Sequence, residues 1–213
     1  MTSAKETEHG QRNMEDKMQP IVVGYYTTNT PYELEARKLI VSLEALGYEH
    51  DLMPVDNLGS WQKNTQFKAQ IVEQMLLKHN RPILYLDVDA VMVQPPVILN
   101  DLNCDIAAVH YADSSELLSG TVYFEPSAMH VVKRWQEINE AYPEVLPNGQ
   151  LAWDQRTLEM AIKETGCAFH ELPEEYTWVV ELTQRRFPGL APVILHTRGA
   201  LRFQDLINEG VEQ

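Results

Sequence analysis

Apolar residues along this 213-residue chain change period repeatedly, and the changes predict alternating strands and helices. Ile21 to Tyr26 (IVVGYY), directly after Pro20, is a short apolar run rich in β-favouring residues and reads as a buried first strand. The polar loop Thr27-Thr28-Asn29-Thr30-Pro31 follows. Pro31 suits a first helical turn, with Thr30 as N-cap and Glu33 as its reciprocal partner. Leu34, Leu39, Ile40, Leu43 and Leu46 then recur at helical spacing up to Gly47, a residue type that ends helices. Tyr48 to Val55 predicts a second strand. This β-α-β opening points to an α/β protein with a parallel sheet and helices on its faces.

Asn57 to Asn64 reads as a loop, and Thr65 to His79 as a helix with Phe67, Ile71, Met75 and Leu76 inward, broken by Asn80-Arg81-Pro82. Ile83 to Leu86 is a compact apolar strand that runs straight into Asp87. Val91 to Val93 leads away from it, and Pro95-Pro96 ends regular structure. Asp105 to His110 predicts another strand, and Leu117 to Glu125 holds a Ser-Gly turn feeding Thr121 to Phe124. Pro126 to Tyr142 is an amphipathic helix carrying Met129, Val132, Trp135 and Ile138. A further helix opens at Trp153 or Asp154, carries Leu158 and Ile162, and ends at Gly166. Ala168 to Leu172 and Pro192 to Leu195 predict short strands. There is no internal repeat and no low-complexity linker. The expected organisation is a polar, disordered segment over residues 1–19 and one α/β domain over 20–213.

Composition changes this picture little and charge somewhat more. A hydrophobic content of 44% and an aromatic content of 8% suit a globular core. No run reaches the roughly 18 apolar residues of a membrane span, and Met1 to Pro20 lacks the apolar centre of a secretory signal. Cys104 and Cys167 stand apart from any CxxC or Cys/His cluster and read first as small core residues in a reducing cytoplasm, with a disulfide or a reactive thiol as the alternatives. The net charge of −14 argues against a broad, nonspecific nucleic-acid surface. A local basic patch is still open to it. Arg185, Arg186, Arg198 and Arg202 fall in a short C-terminal stretch and read equally as solvated surface or as a clamp on an anionic ligand.

The candidate chemistry centres on Asp87-Val88-Asp89, at the carboxyl end of an inner strand, where ligands of open α/β sheets bind. Strand alternation places both carboxylates on one side, with Val88 packed opposite. Carboxylates this close repel each other, and a Mn²⁺ or Mg²⁺ ion bridged to a diphosphate resolves the repulsion. His196, at the end of an apolar strand, is either a third metal ligand or a structural cap, and Arg198 can neutralise a leaving phosphate. Asp154 reads first as an N-cap. Its second reading, with Gln155, is a carboxylate and an amide that bind sugar hydroxyls or steady an oxocarbenium-like centre. Ser119-Gly120-Thr121 is a turn, or a place where Gly120 lets a sugar approach the backbone. Tyr25, Tyr26, Thr27 and Thr28 lie where a base and ribose sit after a first strand. Lys68, on the next helix, reaches either a diphosphate or solvent.

In chain order these segments are the first strand with its polar loop, a lysine-bearing helix, LYLDVDAV, SGTVYF, WDQ, LPEEY and ILHTRG. The series resembles the GT-A nucleotide-diphospho-sugar transferases, especially small glycosyltransferases of bacteria and their phages, from about Ile21 to Arg202. The resemblance implies a single GT-A (Rossmann-like) domain with a mixed, mostly parallel central sheet flanked by helices. It implies Mn²⁺ or Mg²⁺ at Asp87 and Asp89 together with the donor diphosphate, and His196 completing the metal site. It implies Asp154 and Gln155 near the acceptor, and Ser119, Gly120 and Thr121 near the donor sugar. Glycogenin-related members often read His-x-x-Gly-x-x-Lys near the end; here His196 and Gly199 match and Arg202 replaces the lysine. The expected function is metal-dependent transfer of a sugar from a nucleoside-diphosphate donor, foremost a UDP-sugar, to a hydroxyl. Retention is expected, because no dedicated base is evident; Asp154 acting as a base favours inversion instead. The acceptor stays open among a glycan, a small molecule, a protein and, through phage relatives, hydroxymethylated DNA. One rival is a sugar nucleotidyltransferase, which Tyr25 to Thr30 fits poorly because it lacks a Gly-rich basic loop. The other is a non-catalytic nucleotide- or sugar-binding module. The expected location is the cytoplasm, or the host's cytoplasm for a phage-encoded chain.

Overall fold

The computed structural model of the chain describes residues 19–111 and 116–197. Strand β1 (Ile21–Thr27) is apolar on both faces because helices cover both. Its alternate side chains divide between two cores. Ile21 and Val23 pack with Ile71, Val72 and Met75, while Val22 packs with Ala36, Leu39 and Leu43. The first set comes from helix α3 (Lys68–His79) and the second from helix α1 (Tyr32–Ala45). Strand β1 pairs in parallel with β2 (His50–Val55) on one side and β3 (Ile83–Leu86) on the other. Strand β6 (Glu116–Phe124) runs antiparallel to both β3 and β5 (Ile106–Tyr111), and β7 (Phe169–Glu171) lies parallel to β5. The order β2-β1-β3-β6-β5-β7 thus has β6 alone reversed, which makes the sheet mixed and mostly parallel. Helices α4 (Met129–Ala141) and α5 (Asp154–Thr165) join α3 on one face, where the buried Trp135 indole donates to Thr157 Oγ1 at 2.9 Å.

A second, small sheet has the order β4-β9-β8: β4 (Ala90–Met92), β9 (Ile194–His196) and β8 (Trp178–Val179), the last leading into α6 (Val180–Arg186). Strand β9 is antiparallel to β4, so His196 stands opposite Ala90, directly after the acidic pair.

Several expected elements shift. The helix expected from Thr65 begins at Trp61 and divides at Phe67 into α2 (Trp61–Gln66) and α3. Its start is set by Ser60, whose Oγ accepts the Lys63 amide at 3.2 Å, an N-cap hidden inside the expected loop. On α1 the inward stripe is Ala36, Leu39 and Leu43, while Leu34 is exposed. Thr30 accepts the Tyr32 amide at 3.3 Å, but Glu33 turns to the Asn29 amide at 3.4 Å, so the capping box is not closed. The expected Ser-Gly turn lies inside β6. Ala108 faces Val122 and Val109 faces Leu118, so Ser119, Gly120 and Thr121 bulge out of the pairing with β5. The disordered segment expected over residues 1–19, apart from Gln19, lies outside the described residues, and so do Arg198 and Arg202.

Candidate active site

The carboxyl ends of β1 and β3 and the bulge of β6 open onto a cavity of about 320 Å³, where open α/β sheets hold ligands. Gly24 makes this end possible: a Cβ there would sit 2.6 Å from the Leu86 carbonyl oxygen. Beyond Leu86 the Asp87 amide donates to Gly120 O at 2.8 Å, and the Ala90 amide donates to Asp87 O at 2.9 Å. Asp87-Val88-Asp89 is therefore a tight turn between β3 and β4. The expected strand alternation is not what arranges its carboxylates, although Val88 is buried as expected. The turn sends the two carboxylates to different partners.

Asp87 joins a buried ionic cluster around Lys68, which is 2% exposed. Lys68 Nζ lies 2.6 Å from Asp154 Oδ2 and 2.9 Å from Asp87 Oδ1, donates to Ser119 O at 3.1 Å, and rests 4.8 Å from the Tyr85 ring centre. Ser119 Oγ donates to the same Asp154 oxygen at 2.8 Å, and the Tyr85 hydroxyl donates to Asp87 Oδ1 at 3.0 Å. Burial by itself depresses the lysine, but Asp154 and Asp87 outweigh it and hold the ammonium above its ordinary pKa. Burial pushes the Asp87 carboxyl up; Lys68 opposes this, and Asp154 and Asp89 add to it. The effect is tempered because the Asp87 side chain is 40% exposed to the cavity. The Tyr25 and Tyr85 phenols are held well above their ordinary value, first by burial and then by these carboxylates, so both stay neutral.

Asp89 belongs to a second arrangement. Its Oδ1 lies 3.5 Å from His196 Nδ1, and its carbonyl accepts the Thr197 amide at 3.1 Å. His196 Nε2 lies 2.8 Å from Thr121 Oγ1. In the tautomer whose Nε2 donates to Thr121, the Nδ1 lone pair faces Asp89, as a metal ligand requires. The backbone of Gly120 fits between the two arrangements. A Cβ there would meet His196 Cε1 at 2.9 Å, His196 Nδ1 at 3.2 Å and Asp87 Oδ2 at 3.4 Å. Carboxylate oxygens and one imidazole nitrogen thus border the same small space, a donor set that suits Mn²⁺ or Mg²⁺. Among the described residues no three acidic, histidine or cysteine side chains are already gathered into a coordination cage. Asp87 is turned through Oδ1 towards Lys68 and Tyr85.

Of the residues expected from the sequence, Tyr25, Tyr26, Thr27, Lys68, Asp87, Val88, Asp89, Ser119, Gly120, Asp154, Gln155 and His196 line the cavity. Thr28 does not; its amide donates to Val55 O at 2.9 Å and extends the β1–β2 pairing. Asp154 opens α5 as expected, but its carboxylate makes no cap and faces Lys68. Sequence reasoning missed Trp61, Asn64, Tyr85 and Thr177, which also line the wall. An isolated tryptophan in the polar run before α2 is the one signal that marks Trp61. Thr177 Oγ1 is buried and has no hydrogen-bond partner among the described residues.

No family model and no curated protein sequence matches the chain. Solved structures do, and the fold they define is that of the GT-A glycosyltransferases. A glycosyltransferase involved in the glycosylation of the major capsid of PBCV-1 superposes with a TM-score of 0.67 at 15% identity, covering 90% of this chain and 100% of its own. Mouse xyloside xylosyltransferase 1 gives 0.53 at 15% identity, over 84% of this chain and 98% of its own. The galactosyltransferase LgtC, solved with donor and acceptor sugar analogues, gives 0.52 at 14% identity, over 88% of this chain and 95% of its own. Among the described residues no helix is long and apolar enough to cross a membrane.

Proposed function

We propose that the protein is a metal-dependent glycosyltransferase that moves a sugar from a UDP-sugar to a hydroxyl acceptor with retention of anomeric configuration. One observation carries the reading: Asp89–His196 and Asp87–Lys68–Asp154 meet across the side-chain-free backbone of Gly120, at the ligand-binding end of a GT-A sheet. Asp87 Oδ2, Asp89 and His196 would hold Mn²⁺ or Mg²⁺, which supplies positive charge against the diphosphate as it leaves. Tyr25, Tyr26 and Thr27 offer a cleft at the end of β1 for the base and ribose. Lys68 neutralises Asp87 and Asp154 and keeps both oriented before any substrate enters. Arg198 and Arg202 follow His196 closely in the chain and are assigned to the departing diphosphate.

Asp154 bears on the stereochemistry. Its Oδ2 accepts from both Lys68 and Ser119. A carboxylate oxygen engaged by an ammonium and a hydroxyl is poorly placed to take a proton from an acceptor, which supports retention over Asp154-driven inversion. The test is a panel of UDP-sugars with Mn²⁺, Mg²⁺ or excess chelator, read by UDP release and by the product anomer in NMR. Metal-dependent release and a retained anomer are expected. Release that persists in chelator, or in Asp89→Ala, would remove the metal from the mechanism, and an inverted product would return Asp154 to the role of base.

A further inference from the structure

The wall of the cavity beside Asp154 is aromatic. Trp61 opens α2 and Trp153 precedes α5; their ring centroids lie 5.5 Å apart with planes at 88°. Both line the cavity and are only partly buried, whereas the other two tryptophans, Trp135 and Trp178, are buried. The corner they form is braced. Gln62, next to Trp61, donates to Pro143 O at 3.0 Å and Glu144 O at 2.8 Å, and Gln66 donates to Ala152 O at 2.7 Å. These bonds tie α2 to the segment that carries Trp153. The Arg156 guanidinium sits 4.6 Å over the Trp153 ring, donates to Leu151 O at 3.0 Å and pairs with Glu116 at 3.6 Å. Arg156 therefore holds the indole in place and is itself held.

We propose that this corner is the acceptor subsite and that its occupant is an uncharged pyranoside, an inference that rests on the glycosyltransferase reading above. Three observations select that chemistry. The weakly positive C–H face of a pyranose matches the negative face of an indole, and two rigid indoles at a right angle form a bay for one ring. Gln155, two residues beyond Trp153 and also on the wall, supplies an amide for sugar hydroxyls. Charge at this corner then favours an uncharged acceptor over a phosphorylated or nucleic-acid one. Among the described residues the cavity wall carries a single lysine or arginine, Lys68, and that cation is engaged by Asp87 and Asp154. From the small-sheet side the buried Thr177 hydroxyl, without a hydrogen-bond partner among the described residues, offers one more polar contact to a ligand.

The experiment has two readouts on the full chain. In the first, methyl α- and β-pyranosides are titrated at millimolar concentrations with UDP and Mn²⁺ present, following tryptophan emission and its quenching by acrylamide. Saturable protection by one or more pyranosides is expected, and its loss in Trp61→Ala. In the second, transfer is measured to pyranosides, to a Ser/Thr peptide and to hydroxymethylated duplex DNA. Trp61→Ala should raise the pyranoside KM tenfold or more and the UDP-sugar KM less than threefold. Trp153→Phe, which keeps a ring, should raise the pyranoside KM less than Trp61→Ala. Transfer to peptide or DNA but to no pyranoside overturns the acceptor class. Equal rises in both KM values, or no emission change with any pyranoside while UDP still binds, overturns the subsite. Absence of both UDP binding and UDP-sugar hydrolysis overturns instead the glycosyltransferase reading beneath it.

Discussion

Asp87 and Asp89 lie two residues apart and belong to unlike regions of the cavity. Asp87 sits in a closed network where Lys68, Asp154, Ser119 and Tyr85 satisfy one another within 3.1 Å. Asp89, 9% exposed, lies 3.5 Å from a histidine whose other nitrogen is held by Thr121. The closed region is complete as it stands, so its energy is part of folding. The second arrangement sets a carboxylate and an imidazole on the cavity wall, a donor pair suited to a divalent cation, so removing one of them is expected to be felt chiefly in binding. Removing a side chain from each should therefore be felt by different instruments.

The largest effect is expected from Lys68→Met, which leaves Asp154 and Asp87 facing each other with no cation. Loss of one partner from a buried ionic cluster costs about 3 kcal/mol, which lowers Tm by roughly 10 °C at this chain length; calorimetry checks this. The same pairing sets a pH signature. The folded-state pKa of Lys68 lies above the ordinary value of 10.5. Its contribution to stability is thus fully present below that value and is lost as pH rises through the folded value. The Tm gap between wild type and Lys68→Met should stay level from neutral pH to the ordinary lysine range and narrow only above it. A gap that already narrows near pH 8 would show that the cluster is not closed.

Next in size, Asp89→Ala should weaken Mn²⁺-dependent UDP binding about a hundredfold, roughly 2.7 kcal/mol by titration calorimetry, while Tm moves by less than about 3 °C. Asp87→Asn is the sharper contrast, because it should lower both stability and binding. If the two variants behave alike, the division between the regions collapses. Thr121→Val leaves His196 without its hydroxyl partner and should cost about tenfold in metal-dependent binding, read in the same titration. The smallest effect is expected from Thr177→Val. Its hydroxyl makes no hydrogen bond among the described residues, so stability should stay within about 1 kcal/mol of wild type or rise slightly.

Much of this was legible along the chain. The apolar runs at Ile21 and Ile83 marked inner strands because burial on both faces removes polar alternation. The acidic pair marked the site because such carboxylates need a compensating charge. Lys68 is a candidate from the sequence, but its partners are not: one lysine near the start of a helix looks the same whether it faces a diphosphate, water or two carboxylates. Thr177 is silent and Trp61 is marked only by standing alone in a polar run, since their meaning comes from neighbours far away in the sequence. The sequence predicts a turn or a close-approach site at Ser119 to Thr121, where the structure has a bulge, because a glycine breaks periodicity in the same way in a turn and in a bulge.

Local pattern and residue type alone dictate the alternation of strands and helices, the acidic pair at one strand end and the histidine at another. The partners of each carboxylate come from long-range packing. A hydrogen bond from the Ala90 amide to the Asp87 carbonyl turns the chain between them, β9 docks against β4 and brings His196 to Asp89, and the split at Phe67 lets α3 carry Lys68 to Asp87 and Asp154. Each of these contacts joins parts of the fold, and their energies depend on distance and burial, which no local window of the sequence contains.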